Sequence, residues 1–173
     1  LMSVYAKENP AYLEQALESN LLSQTLRPSE LVLVLDGPLT PEWLAVVDRW
    51  VARAESLDCP PIQLVELPQN IGLAEALNAG LQACSYELVA RADYDDLSEP
   101  TRFAELIPAL VEGGYTLLGS AMLEVNESNS EVESVREAIV DSERLLRAMD
   151  SRNPIYHPSV AFRKSAVQTL GGY

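Results

Sequence analysis

The sequence predicts an α/β protein with a mainly parallel sheet. Short apolar runs alternate with helical patterns over the first 110 residues, which indicates βαβ units. The unbroken aliphatic run at residues 31–35 is typical of a strand that is covered on both faces. Three carboxylates, Asp93, Asp95 and Asp96, directly follow another apolar run. They therefore lie at the carboxyl edge of the predicted sheet, where ligands bind in folds of this kind.

Each predicted element has its own local signal. Leu13, Ala16, Leu17 and Leu21 recur at helical spacing in the first helix. Thr40 precedes a proline that suits the first position of the second helix. The predicted strands cover residues 1–5, 31–35, 63–67, 87–91 and 159–163, and the predicted helices cover residues 10–23, 41–54, 73–84, 100–112 and 141–149. We expect a strand or extended segment at 115–125 and an exposed loop or hairpin at 126–135.

Length and composition indicate one globular domain, residues 1–173. The formal net charge of −14, from 12 basic against 26 acidic residues, argues against a nucleic-acid-binding surface. No apolar run reaches the roughly 20 residues of a membrane span, and no secretory signal is visible at the start. Cys59 and Cys84 are far apart and predict neither a disulfide nor a zinc site. We therefore expect a cytoplasmic protein, with peripheral contact at the inner face of the membrane left open.

The acidic cluster Asp93-Tyr94-Asp95-Asp96 predicts a metal site. Like charges at close range raise each other's pKa, and a divalent cation removes that cost. Hard oxygen ligands suit Mg²⁺ or Mn²⁺, which commonly bind through carboxylates together with substrate phosphates. A calcium-binding EF-hand loop is excluded because its sixth and twelfth positions would be Ser98 and Ala104, in place of glycine and glutamate. A solvated turn rich in helix-capping residues stays open as the alternative.

Polar side chains follow four predicted strands, at the point where each strand ends. These residues are Tyr5, Asp36, Asn70 and Asp93. Because the carboxyl ends of parallel strands meet at one edge of a sheet, the four are expected to line one crevice. This argument depends on the fold and not on the acidic motif, so it supports the metal site independently.

The order of the motifs resembles that of a family 2 glycosyltransferase with the GT-A fold, a three-layer α/β/α sandwich. The matching segments are Ser3-Val4-Tyr5, Asp36-Gly37, Asn70-Ile71-Gly72-Leu73, Asp93-Tyr94-Asp95-Asp96 with Pro100 and Arg102, His157-Pro158, and Gly171-Gly172-Tyr173. Any one of these segments is a weak signal, whereas the ordered set is specific. The resemblance implies transfer of a sugar from a nucleotide-diphosphate sugar, by default a UDP-sugar, to an acceptor hydroxyl. It also implies inversion at the anomeric carbon and a role in cell-surface polysaccharide or lipopolysaccharide synthesis, with a saccharide or lipid-linked acceptor.

The same resemblance implies a role for individual residues. Asp95, with Asp93, would coordinate Mn²⁺ or Mg²⁺ in a DXD-type motif, and Asp36 would accept a hydrogen bond from the nucleobase. Tyr5 would lie against the base. The implied donor-binding residues are Ser3, Tyr5, Asp36, Asn70, Gly72, Asp93, Asp96 and His157. Without the resemblance, Tyr5 is equally a core aromatic residue and His157, the sole histidine, a structural one. Three arginines could contact phosphate oxygens, but we interpret them as surface or structural ion-pair residues. They are Arg91, Arg102 and Arg163.

The family's general base is expected beyond Tyr173, in an acidic motif that follows the Gly-Gly-Tyr segment. Glu124, Glu127 and Glu131 are interpreted as solvated residues of a polar loop and not as this base. We therefore expect the chain to be the donor-binding part of a longer enzyme, with weak or absent transfer activity of its own. A non-catalytic nucleotide-sugar-binding module stays open. A nucleotidyltransferase is disfavoured because residues 5–9 lack the glycines of its phosphate-binding loop.

Overall fold

The computed structural model describes residues 1–7, 9–55, 59–126, 128 and 131–173. Its strands are β1 (Met2–Val4), β2 (Leu31–Leu35), β3 (Ile62–Glu66), β4 (Leu88–Ala90), β5 (Leu117–Leu118), β6 (Met122–Val125), β7 (Val132–Arg136) and β8 (Ala161–Arg163). Its helices are α1 (Pro10–Leu17), α2 (Pro41–Ala54), α3 (Leu73–Ala83), α4 (Arg102–Glu112), α5 (Ser142–Met149) and α6 (Lys164–Thr169). A π-helical segment, Glu18–Leu22, continues α1, and a 3₁₀ turn, His157–Ser159, precedes β8.

The main sheet is mainly parallel, as predicted. Strands β1, β2 and β3 pair in parallel, with β2 between the other two. Leu1 joins β4 to this sheet: its amine donates to the carbonyl of Ala90 at 2.8 Å, and its carbonyl accepts from the amide of Ala92 at 3.1 Å. Strand β8 pairs antiparallel with both β4 and β5. The strand order across the sheet is therefore β3-β2-β1-β4-β8-β5.

Helices cover both faces of the sheet, so the molecule has the three layers of an α/β/α sandwich. Alternate residues of β2 face opposite sides, as a strand's period of two requires. Leu33 packs in the core that contains the α1 and α2 side chains Leu17, Trp43 and Trp50. Val34 packs in the second core, which contains the α3 residues Leu77 and Leu81. Helix α4 buries Leu106 and Leu110 against β8.

The observed elements differ from the predicted ones in the first helix and at residues 115–125. The first helix loses its regular α geometry after Leu17, because the hydrogen bonds of residues 18–22 are π-helical. The segment predicted at 115–125 is divided between β5 and β6, which belong to different sheets. Strands β6 and β7 form an antiparallel hairpin, as one of the two readings of residues 126–135 proposed. Residues 127, 129 and 130, including Glu127, lie outside the described residues.

The turn after β2 requires glycine at position 37. Gly37 has a φ of 90°, in the region that favours glycine, and a Cβ added there would lie 2.5 Å from the backbone nitrogen of Asn70. The close approach matters because it brings the loop after β3 against the carboxyl end of β2. Gly72 has nearly the same φ, 91°, but an added Cβ would meet nothing within 4 Å.

We predict that Gly37→Ala destabilises the protein more than Gly72→Ala. Both alanines would suffer the positive φ, which costs about 1–2 kcal/mol. Only Gly37→Ala adds a backbone collision with Asn70, which raises the expected total to about 2–4 kcal/mol. Urea unfolding of both variants measures the difference, and equal losses would show that the backbone accommodates the added Cβ at position 37 without extra cost.

Candidate active site

The carboxyl ends of β1 to β4 lie side by side at one edge of the parallel sheet. The backbone shows this directly, since the amide of Asp36, after β2, donates to the carbonyl of Val4, in β1, at 2.8 Å. Tyr5 follows β1, and its ring lies edge-on to that of Tyr94 with centroids 6.4 Å apart. Tyr5, Asp36, Asn70 and Asp93 therefore follow strands that are neighbours in the sheet. That they line one crevice remains a prediction.

The acidic cluster has the geometry of a metal site. One carboxylate oxygen from each of Asp93, Asp95 and Asp96 lies within 4.8 Å of the other two. A Mg²⁺ ion with bonds of about 2.1 Å holds neighbouring ligands about 3 Å apart and opposite ligands about 4.2 Å apart, so the three oxygens would have to move closer together to share one ion. Asp95 is exposed, whereas Asp93 and Asp96 are half-buried. The donor set of three hard oxygens, open to solvent on one side, fits a divalent cation that keeps positions for other ligands.

Burial and mutual repulsion both act on Asp96. Its pKa is raised chiefly by desolvation, and then by the negative charges of Asp93 and Asp95. The guanidinium groups of Arg91 and Arg102 act in the opposite direction without cancelling the effect. The cluster therefore has an unrelieved cost of negative charge, which a bound cation would remove.

Arg91 is buried completely behind the cluster. Its guanidinium donates to the carbonyl of Ala92 and forms an ion pair with Asp93. The geometry therefore supports a structural ion pair for Arg91, and not a contact with phosphate. The ion pair engages Oδ1 of Asp93 and leaves Oδ2 for another ligand. Arg163 likewise has a structural contact, from Nε to the carbonyl of Tyr115 at 3.2 Å.

Asp36 is a buried acceptor for the loop after β3. Its Oδ1 accepts from the amide of Ile71 at 2.8 Å, and its Oδ2 accepts from the amide of Gly72 at 3.2 Å and from Nδ2 of Asn70 at 3.0 Å. These bonds fix the conformation that leads into α3. They show a contact that sequence reasoning did not foresee, and the contact of Asp36 with a nucleobase stays a prediction.

Ser3 is buried within β1, where its backbone pairs with Val34. Tyr5 is half-buried beside Tyr94, whose ring in turn packs edge-on to Trp43 at 5.5 Å. Part of Tyr5 thus belongs to the apolar core, while the rest remains at the crevice. Both readings of this residue are compatible with its position.

His157 and Tyr173 lie near the acidic cluster, since the charges of Arg91 and Asp93 act on both residues. Their rings meet edge-on with centroids 5.4 Å apart. Burial is the main cause that lowers the pKa of His157, and the nearby charge of Arg91 lowers it further. The imidazole is therefore neutral at pH 7, and its Nε2 has no hydrogen-bond partner in the described part of the chain. Burial raises the pKa of Tyr173 to about 12.

Asn78 in α3 holds the Gly-Gly-Tyr segment in place. Its Oδ1 accepts from the backbone amide of Tyr173 at 2.8 Å. Gly172 has a φ of 101° and lies so close that an added Cβ would be 2.3 Å from the same oxygen. A long-range contact therefore connects α3 to the residues that pack against His157.

Two cavities lie away from the acidic cluster. One of about 390 Å³ opens at the amino edge of the sheet, where Leu31 and Leu88 begin their strands. A second of about 320 Å³ lies between the Gly37-Pro38 turn and α2. Neither is lined by an aspartate of the cluster.

Comparison with known proteins identifies the family of this chain. A family model described as glycosyl transferase family 2 matches residues 1–171. The chain belongs to that family. It is 38% identical over 174 residues to an amylovoran biosynthesis glycosyltransferase of Erwinia amylovora, and 32% identical over 173 residues to a UDP-Gal:α-D-GlcNAc-diphosphoundecaprenol β-1,3-galactosyltransferase of Escherichia coli. Both matches cover 100% of this chain but only 62% and 60% of the relatives, so the chain spans about three fifths of their length.

Solved structures of glycosyltransferases have the same fold. A mannosyltransferase from Pyrobaculum calidifontis, in complex with GDP-Man and Mn²⁺, superposes with a TM-score of 0.68 at 21% identity, over 99% of this chain and 46% of that one. S. aureus TarS in complex with UDP-GlcNAc has a TM-score of 0.68 at 17% identity, over 98% and 47%. The GT-A fold predicted from the sequence is confirmed. Among the helices that the structure describes, none has the length and apolar character needed to cross a bilayer.

We predict that Asp96→Asn stabilises the metal-free protein at pH 7. Burial raises the pKa of Asp96, so the folded state favours the neutral carboxyl. Its contribution to stability is therefore greatest below the pKa of the unfolded chain and is lost as the pH rises through the raised folded pKa. Asparagine is neutral at every pH and removes this loss.

Urea unfolding in EDTA between pH 4 and pH 8 measures the effect. The wild type should lose stability relative to Asp96→Asn as the pH rises, and the matched change Asp95→Asn, at an exposed carboxylate, should gain less. A variant Asp96→Asn that is less stable than the wild type at pH 7 would contradict the interpretation.

Proposed function

We propose that this chain binds a nucleotide-diphosphate sugar together with Mn²⁺ or Mg²⁺, as the donor-binding part of an inverting glycosyltransferase. The observation that carries the proposal is the cluster of Asp93, Asp95 and Asp96, whose oxygens converge at the carboxyl end of β4. Family membership supports the proposal. The position of the cluster supports it separately, because ligands bind at this edge of the sheet in open α/β folds.

Each side of the crevice has a distinct proposed role. Asp95 and the free oxygen of Asp93 would hold the ion, and Asp96 would lie beside it toward the sugar. When bound, the ion would stabilise negative charge on the departing nucleoside diphosphate. Tyr5 and Asp36 would bind the nucleobase, with Ser3 next to them. His157, neutral and with an unpartnered Nε2 among the described residues, would donate or accept one hydrogen bond toward the donor.

The names of two relatives support the choice of donor and acceptor. The relative from Escherichia coli is named for UDP-Gal and for α-D-GlcNAc-diphosphoundecaprenol, and that from Erwinia amylovora for amylovoran biosynthesis. We therefore propose a UDP-sugar donor and a saccharide or lipid-linked acceptor in cell-surface polysaccharide synthesis, at the cytoplasmic side of the membrane. The general base that would deprotonate the acceptor is proposed to come from outside residues 1–173.

We predict metal-dependent binding of nucleotide sugars. Calorimetry of the protein against UDP-Gal, UDP-GlcNAc and GDP-Man should show binding in Mn²⁺ that weakens at least tenfold in EDTA, since the carboxylates would hold an ion that neutralises charge on the diphosphate. Asp95→Ala should abolish Mn²⁺ binding and leave the circular dichroism spectrum unchanged, because Asp95 is exposed.

The matched control is Asp48→Ala, the same change at an exposed aspartate of α2, which should bind Mn²⁺ as the wild type does. If no nucleotide sugar binds in a metal-dependent way, the proposed function is wrong. If Asp95→Ala still binds Mn²⁺ normally, Asp95 is not a ligand.

A further inference from the structure

Arg102, in the first turn of α4, contacts three separate segments around the acidic cluster. Its Nη2 donates to the carbonyl of Arg91 at 2.6 Å and to the carbonyl of Pro158 at 2.7 Å. Its Nη1 donates to Oγ of Ser98 at 2.9 Å. Arg91 lies two residues before Asp93, and Ser98 two residues after Asp96, so these contacts bracket the cluster from both ends.

The contact of Arg102 with Pro158 reaches the segment that contains His157. Pro158 directly follows His157 in the 3₁₀ turn that leads into β8. One guanidinium group thus connects the acidic loop, residues 93–99, with the turn that contains His157. Burial lowers the pKa of Arg102 to about 10, so the group keeps its charge at neutral pH.

The π-helical segment after α1 holds the far side of the same loop. Oγ of Ser98 donates to Oδ1 of Asn20 at 2.9 Å, and the amide of Ser98 donates to Oγ of Ser19 at 3.2 Å. Gln24 extends this contact, because its Nε2 donates to the carbonyl of Glu99 at 2.9 Å. π-Helical turns within α-helices are frequent near functional sites, and this one places two consecutive polar side chains against one serine.

We infer that Arg102 is a positioning residue, which fixes the acidic loop and the His157 turn in a single arrangement suited to one bound metal–diphosphate unit. This inference rests on the proposed function. Arginine suits the task because its planar group presents five N–H donors in a fixed geometry. A lysine would keep the charge but could not reproduce the three bonds in their observed directions. Residues that orient metal ligands typically change metal affinity 10- to 100-fold when replaced.

The first measurement is the Mn²⁺ affinity of Arg102→Gln and Arg102→Lys, by calorimetry on the full chain. We expect a 10- to 100-fold loss for the glutamine variant and at least a fivefold loss for the lysine variant. The matched control is Leu110→Ala, which opens a buried site in the same helix and destabilises the protein without contacting the acidic loop. It should bind Mn²⁺ within twofold of the wild type. Lysine at position 102 with wild-type affinity would show that only charge matters and would overturn the inference.

The second measurement is amide hydrogen exchange of the metal-free protein, which does not depend on any ligand. Arg102→Lys should speed exchange in residues 93–99 and in residues 157–160 together, whereas Leu110→Ala should not change one segment relative to the other. Ser98→Ala, a milder change in case the arginine variants fold poorly, should speed exchange in residues 93–99 only, because it leaves the bond to Pro158 intact.

The two measurements separate the inference from the proposed function. A wild type that binds no Mn²⁺ would refute the function, while the exchange result would still decide whether Arg102 couples the two segments. A wild type that binds Mn²⁺, with unchanged affinity and exchange in Arg102→Lys and Ser98→Ala, would refute the inference alone.

Discussion

The completely buried guanidinium of Arg91 is the constraint on which the site depends. Removing such a charge from water costs several kcal/mol, and arginine cannot escape the cost by losing its proton. The structure offsets the cost with the carboxylate of Asp93 and the carbonyl of Ala92. Asp93 is thereby held at the end of β4 with one oxygen committed and one available. The position of the first aspartate of the cluster therefore follows from the burial of the residue two places before it.

The charge of Arg91 also acts beyond its direct partners. It opposes the rise in the pKa of Asp96, and it helps to lower the pKa of His157. The charge of Arg91 therefore favours the ionised carboxylate of Asp96 and the neutral imidazole of His157. A neutral imidazole does not compete with a cation for the carboxylates. The charge state of His157 is therefore compatible with a metal site at the acidic cluster.

Local pattern in the sequence was enough to predict the parallel half of the fold and the location of the acidic cluster. The aliphatic run of β2 and the helical spacing in α3 are strong signals, because each is decided by burial on one or two faces. The antiparallel pairing of β8 with β4 had no local signal, since strand direction depends on where the chain returns after more than sixty residues. The contacts of Asp36 with residues 70–72 were missed for the same reason: they connect side chain and backbone across two loops.

Arg91 and Arg102 illustrate why sequence reasoning stops short of the site's internal geometry. Both lie near the acidic cluster along the chain, and both would suit phosphate contacts if exposed. Burial decides otherwise, because Arg91 is covered completely and Arg102 uses its donors on backbone carbonyls and a serine. Both guanidinium groups are therefore committed to contacts within the protein, and the charge of the proposed diphosphate would have to be neutralised by another group. A divalent ion at the carboxylates would supply that charge where the arginines cannot, which is the physical reason to expect a metal-dependent site in a chain of net charge −14.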